Sequence, residues 1–172
     1  MVYSDLIQFT SGNADTSIGI RFQLWKAAFH LIAESPIFGV GADGFSKAMD
    51  TLSASGFITP AAAAYGKGEV HNEKLAQTVR FGIFGLCSIL AIYFVPFFLF
   101  VRAAKAGTPQ QNGAAMMGMC VTLGFFVFGL TVETFDLKMI AAFYSLTVAV
   151  LLAMAIHKPS LSENNSSSSP GA

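Results

Sequence analysis

The sequence predicts an all-α membrane protein: an extramembrane helical loop region followed by three transmembrane helices. Two observations carry that prediction. Over 172 residues the chain is 53% hydrophobic and 12% charged, with a mean hydropathy of +0.58, too apolar for an ordinary soluble domain. Residues 82–101, 114–132 and 139–156 are apolar runs free of Asp, Glu, Lys, Arg and His. Each has close to the roughly 20 residues that cross a bilayer core about 30 Å thick as helix.

The elements follow in order. Residues 1–15 are polar and irregular, with Ser11-Gly12-Asn13 as a turn signal. Residues 1–10 contain Asp5 and lack the basic and apolar regions of a signal peptide. Something upstream must then place residues 1–81 across the membrane, and the chain reads as the C-terminal part of a larger protein.

From 18 to 34 the pattern is helical. Ile18, Phe22, Trp25, Phe29 and Ile32 recur at spacings of four and three, and Leu24, Ala28 and Leu31 widen that face. Gln23, Lys26, His30 and Glu34 gather opposite, and Asp15, Thr16 or Ser17 can cap the start. Ser35-Pro36 ends this helix. The spacing Gly39-x-Gly41-x-x-Gly44 that follows superficially matches a dinucleotide fingerprint, but it lacks the preceding strand and βαβ context, so a nucleotide site is rejected. A tight turn against the membrane surface is the expected use of these glycines. Residues 43–55 read as a second short helix, and 56–68, with Pro60 and four alanines, as a loop able to move in front of His71. Pro96 is expected to kink the first span. The serine-rich tail, 157–172, reads as disordered.

Orientation follows the basic residues of the short loops. The linker 102–113 holds Arg102 and Lys105 and no acid, whereas the turn 133–138 holds Glu133, Asp136 and a single base, Lys138. The linker and tail are therefore assigned to the cytoplasm, and residues 1–81 and the turn to the opposite side.

Four residues stand out as site candidates. His71 is a titratable imidazole at the threshold of the first span, and Asn72 is a good N-cap for a helix whose free N–H groups can receive an anion. Arg21 falls between Ala28 and Ile32 in the apolar arc of its helix, where it either snorkels to a lipid headgroup or holds a phosphate in a bidentate fork. Arg80 lies just before the first span, where cations commonly snorkel. Glu133 and Asp136 read as a solvated turn, and His30 and His157 as solvated or interfacial.

Several classes are excluded or disfavoured. Ten basic and ten acidic residues give zero net charge, against a surface that binds nucleic acid by neutralising phosphates. Cys87 and Cys120 lie in apolar runs and behave as small hydrophobes. Spans without ionisable residues argue against a transporter, whose sites place such groups near the bilayer midplane.

In order, Arg21-x-x-x-Trp25-x-x-Ala28, Pro36-x-x-Gly39-x-Gly41-x-x-x-Phe45, His71-Asn72-Glu73-x-Leu75, Gly82-Ile83-x-Gly85-Leu86 and Phe128-Gly129-Leu130-Thr131 resemble the O-antigen ligase and polymerase superfamily. The resemblance implies a bacterial inner-membrane enzyme whose periplasmic face moves a glycan from undecaprenyl pyrophosphate, without metal or other cofactor, to the lipid A-core of lipopolysaccharide. A polymerase, or an enzyme that glycosylates protein, shares the donor and stays open as an alternative. His71 maps onto the family's essential loop histidine and Arg21 onto its loop arginine. On this reading His71 is catalytic, as a base or as a phosphate ligand, and Arg21, Asn72 and Arg80 bind substrate. The partners are the lipid-linked glycan, the acceptor and membrane lipids. Displacement at the anomeric carbon implies inversion.

Overall fold

A computed structural model describes residues 14–157. The expected irregular start and serine-rich tail lie almost wholly outside them. Six helices are present among the described residues: α1 (Ser17–Glu34), α2 (Gly44–Ala54), α3 (Pro60–Gly66), α4 (Glu73–Ala106), α5 (Pro109–Phe128) and α6 (Lys138–Ile156). The fold is all-α, as expected, and α4, α5 and α6 are each long and apolar enough to cross a membrane.

Helices α1 to α3 pack with the first turns of α4 around Leu24, Ala27, Ala28, Met49, Ala62, Ala63, Ala76 and Val79. Thr16 caps α1 through its side chain, which accepts from the Gly19 N–H. The inward face of α1 is only part of the expected one: Leu24, Ala28 and Leu31 are in the core with Trp25 and Ile32 packed against it, but Phe22 and Phe29 are not. Ile20, Leu24, Ala27, Ala28 and Leu31 are buried, while Phe22 and Phe29 are 53% and 60% exposed. Apolar periodicity marks both stripes alike, because a face that meets lipid is as apolar as one that meets a core. Gln23, on the expected polar face, ties α1 to the start of α3: its amide donates to the Ala14 carbonyl and accepts from the Thr59 N–H.

The segment expected as a mobile loop contains α3. Thr59 caps it, Pro60 sits in its first turn, and the alanine run supplies good helix formers, of which Ala62 and Ala63 join Leu24 and Met49 in the core.

Helix α4 breaks where the first span was expected to begin. At Gly82 the backbone adopts φ 62°, ψ −145°, whereas Pro96 lies within helical backbone. The break disrupts helical pairing near the apolar zone, where unpaired backbone is costly. The glycine-rich turn after α1 supplies the missing partners: Val40 and Gly41 donate to the Val79 and Arg80 carbonyls, and Pro36 accepts from Ile83 N–H at 2.9 Å. So the turn packs against the interrupted helix, and its Ile37 and Phe38 side chains stay exposed. A Cβ at Gly82 would fall into the Ile37 carbonyl, and one at Gly39 into the Arg80 backbone, so both positions need glycine.

The expected linker 102–113 is mostly helical. α4 runs to Ala106, and α5 starts at Pro109 behind a capping box of Thr108 and Gln111. Phe100 is fully buried against Gly118 where α4 and α5 meet, and the Tyr144 hydroxyl of α6 donates to the Ile92 carbonyl of α4 at 2.7 Å. Outward side chains such as Phe98, Met116, Leu123, Phe143 and Leu146 are exposed, as a lipid-facing surface requires.

Candidate functional site

The strap from Glu69 to Lys74 crosses the end of the three-helix unit and is pinned to the turn between α5 and α6. Val70 N–H donates to Glu133 Oε1, the Asn72 amide donates to the Leu130 carbonyl at 3.2 Å, and Glu73 N–H donates to the Gly129 carbonyl at 2.9 Å. The fully buried Glu73 carboxylate accepts from Thr134 Oγ1, Phe135 N–H and Gln77 Nε2. Lys74 Nζ donates to the Phe126 carbonyl and lies 4.3 Å from the Phe126 ring centroid.

His71 is the residue between these pins. It has φ 58°, the only positive value for a non-glycine residue among those described. A side chain in the left-handed region costs roughly 1–3 kcal/mol and persists only where surrounding contacts impose it; such strain gathers at functional sites. Here the imposed contacts are the flanking bonds of Val70 and Asn72. The imidazole is partly exposed, and Nδ1 lies 3.4 Å from Glu69 Oε1. Nε2 has no bond to a described residue. A carboxylate at Nδ1 favours the tautomer with its proton there and leaves Nε2 as the basic atom.

The other candidates are placed differently. Asn72 caps α4 by accepting from Leu75 N–H at 3.1 Å while its amide reaches Leu130, so both ends of the side chain are in use. With Glu73 N–H also taken, much of the helix start expected to receive an anion is paired internally. Arg80 does not snorkel. Its Nη2 lies 2.8 Å from Glu133 Oε2 and its Nη1 2.9 Å from an Asp136 oxygen. The expected solvated turn is thereby corrected, since the Glu133 side chain is 2% exposed and bridges Arg80 to the Val70 N–H. Burial pushes the Glu133 carboxyl up to about 7, against the downward pull of the Val70 N–H and the Arg80 charge. Arg21 is exposed on α1 and makes no ion pair with a described residue. It therefore keeps its guanidinium available.

Sequence reasoning missed Glu73 and Glu133 as organisers of the site. Glu73 was visible only as part of a motif, and the partners of Glu133 lie 53 and 63 residues away in the chain. Among the described residues no three His, Cys, Asp or Glu side chains converge as metal ligands.

Comparison with known proteins bears on residues 1–90, which match the family model described as O-antigen ligase. That is more than half of the chain, and it includes Arg21 and the whole strap. The chain belongs to the O-antigen ligase family. It is 25% identical over 104 residues to an O-antigen ligase of Escherichia coli strain K12, covering 60% of this chain and 25% of that protein. It is also 27% identical over 117 residues to an uncharacterized protein of Haemophilus influenzae strain Rd, covering 67% of this chain and 29% of that protein. The chain thus spans between a quarter and a third of the length of these relatives.

Proposed function

We propose that this chain takes part in glycan transfer from undecaprenyl pyrophosphate to a hydroxyl of the lipid A-core, on the periplasmic face of the bacterial inner membrane. The observation that carries the reading is His71, held in a strained backbone with Nδ1 facing Glu69 and Nε2 open. In the reaction Nε2 takes the proton of the acceptor hydroxyl as that oxygen attacks the anomeric carbon. The bond from that carbon to the pyrophosphate oxygen breaks, and its electron pair leaves with undecaprenyl pyrophosphate, so the centre inverts. A positioned base contributes about 10²–10⁴-fold.

Arg21 binds the pyrophosphate, because a free guanidinium on a face that also presents Phe22 and Phe29 can meet a phosphate at the lipid surface. Asn72 and Arg80 act from behind the site by holding the strap. No metal is needed in this scheme, since the arginine neutralises the leaving group.

The test is a lipopolysaccharide gel from cells carrying His71→Ala, with lipid-linked glycan assayed in parallel. Loss of the long-chain ladder with a build-up of lipid-linked polymer is the expected result. An unchanged ladder would remove His71 from catalysis.

A further inference from the structure

At the end of the three-helix unit away from the His71 strap, α5 begins with polar and then small residues, Gln110, Gln111, Gly113 and Ala114, and His157 ends α6. Gln111 ties the two helices there: its amide donates to the His157 carbonyl while its oxygen accepts from the Thr108 N–H at 2.7 Å. Beside this tie the small residues leave an apolar groove of about 1010 Å³. Gly113, Ala114 and Met117 form one wall, Leu151 and Met154 the other, and Gln110 and His157 stand at its outer end.

Two properties decide what fits. The first is length. A transmembrane partner helix packs along most of a bilayer core about 30 Å thick, whereas the step from Gln110 to Met117 spans only about 10 Å at 1.5 Å per residue. Deeper in, Phe125 fills the space between the helices, with its ring centroid 4.8 Å from that of Tyr144 and 6.5 Å from that of Phe143. The second is charge. No Asp or Glu occurs in 82–132 or 137–157. Arg102 and Lys105, in the last turns of α4 at this same end, are exposed and make no ion pair with a described residue, and the Gln110 amide and the His157 imidazole bond none either. Donors and cations without a carboxylate suit a phosphate, and a short apolar slot below them suits the first carbons of an acyl chain. We infer that this groove binds one anionic phospholipid, with an acyl chain between α5 and α6 and the headgroup phosphate accepting from Gln110 and His157 in the field of Arg102 and Lys105. The site is independent of the transfer reading above, which concerns the opposite end of the unit.

The experiment is photolabelling of the full chain in detergent micelles, using a trace of phosphatidylglycerol that carries a diazirine near the carboxyl end of one acyl chain, with the labelled residues located by peptide mass spectrometry. Met117 and Met154 line the groove and are 61% and 57% exposed, while Met116 and Met139 lie outside it at 60% and 85%, so exposure alone predicts no preference for the first pair. Label is expected to concentrate on Met117 and Met154 and to be displaced by unlabelled phosphatidylglycerol more readily than by phosphatidylcholine. Gly113→Leu fills the groove, and an added Cβ there meets nothing within 4 Å, so the helix keeps its fold and its circular dichroism spectrum. Burial of each CH₂ is worth about fourfold in affinity, so displacing two of them should cut label at Met117 and Met154 by more than about tenfold, with Met116 and Met139 unchanged. Equal labelling of the two pairs, or groove labelling untouched by Gly113→Leu, overturns the site and leaves ordinary bilayer contact. Equal displacement by phosphatidylcholine overturns the anionic headgroup. An unlabelled groove in a chain that elutes as a dimer, turned monomeric by Gly113→Leu, assigns the groove to a second copy instead.

Discussion

His71 and Arg21, the two residues to which the proposed transfer assigns chemistry, are held in opposite ways. His71 sits in a strap where the neighbouring Val70, Asn72, Glu73 and Lys74 all bond the α5–α6 turn or the end of α5. Arg21 stands on the outward side of α1 without an ion pair to a described residue. A base must be aimed within a few tenths of an ångström, because proton transfer depends on hydrogen-bond geometry. A cation that meets a diffusing lipid phosphate gains from a flexible stem, because Coulomb attraction is long-ranged and non-directional. Rigidity is spent where direction matters.

The contrast can be broken most severely at Glu133. Removing its carboxylate in Glu133→Ala leaves the buried Val70 N–H and one side of the Arg80 guanidinium without an acceptor. The expected loss is about 3–5 kcal/mol of stability, read as a lower unfolding midpoint in nanodiscs, and transfer is lost with it because the strap is released. Arg21→Ala should do the opposite. The unfolding midpoint stays put, while kcat/KM for the lipid-linked donor falls about 10–100-fold, the worth of a charged hydrogen bond of roughly 1.5–3 kcal/mol. Arg21→Lys should recover only part, since an ammonium lacks the bidentate fork. A drop in stability for Arg21→Ala would show that α1 depends on that side chain for packing.

How much of this was legible in the sequence depends on how local each cause is. Three spans follow from charge-free apolar runs, and the cap of α4 from Asn72, because those signals lie within one turn or one run. The buried face of α1 is legible at Leu24, Ala28 and Leu31 and not at Phe22 and Phe29, because periodicity cannot separate an apolar stripe left exposed from one that meets the core. Thr59-Pro60 and the alanines that follow can cap and fill α3, although the 56–68 stretch reads as loop. The clasp could not be read at all. Nothing near Glu133 in the chain distinguishes a solvated acid from one that meets Val70 and Arg80 across the fold, and the left-handed backbone of His71 is imposed by that same distant turn.

A gentler test of the clasp asks whether its charge or its hydrogen bonds matter. Burial raises the Glu133 carboxyl to about 7, so the folded chain keeps a proton that the unfolded chain releases in the ordinary carboxylate range. The stabilising contribution of this group is therefore full below that range and is lost as pH rises through about 7. Wild-type unfolding midpoints should decline over this window, and Glu133→Gln should remove that part of the slope while losing far less stability than Glu133→Ala. A Glu133→Gln variant as unstable as Glu133→Ala would mean that the ionic pair with Arg80, and not the acceptor geometry, holds the strap.

The smallest expected effect sharpens the comparison most, because it asks what aims the imidazole rather than what holds its backbone. Glu69→Gln keeps the size of the side chain and removes the charge 3.4 Å from His71 Nδ1. If His71 is the base, the carboxylate at Nδ1 aims the ring at the acceptor hydroxyl, so its removal costs kcat. Activity at neutral pH should drop by about tenfold or less, with KM for the donor unchanged, since the variant loses charge and orientation but not the base itself. A histidine that instead holds the phosphate gives the opposite split, with Glu69→Gln raising KM for the donor and leaving kcat nearly unchanged. The partition of the loss between kcat and KM thus separates the two chemistries, because a group that acts on the acceptor proton works only in the transition state whereas one that holds the donor works in the ground state as well. A Glu69 with no part in aiming the ring would move neither constant.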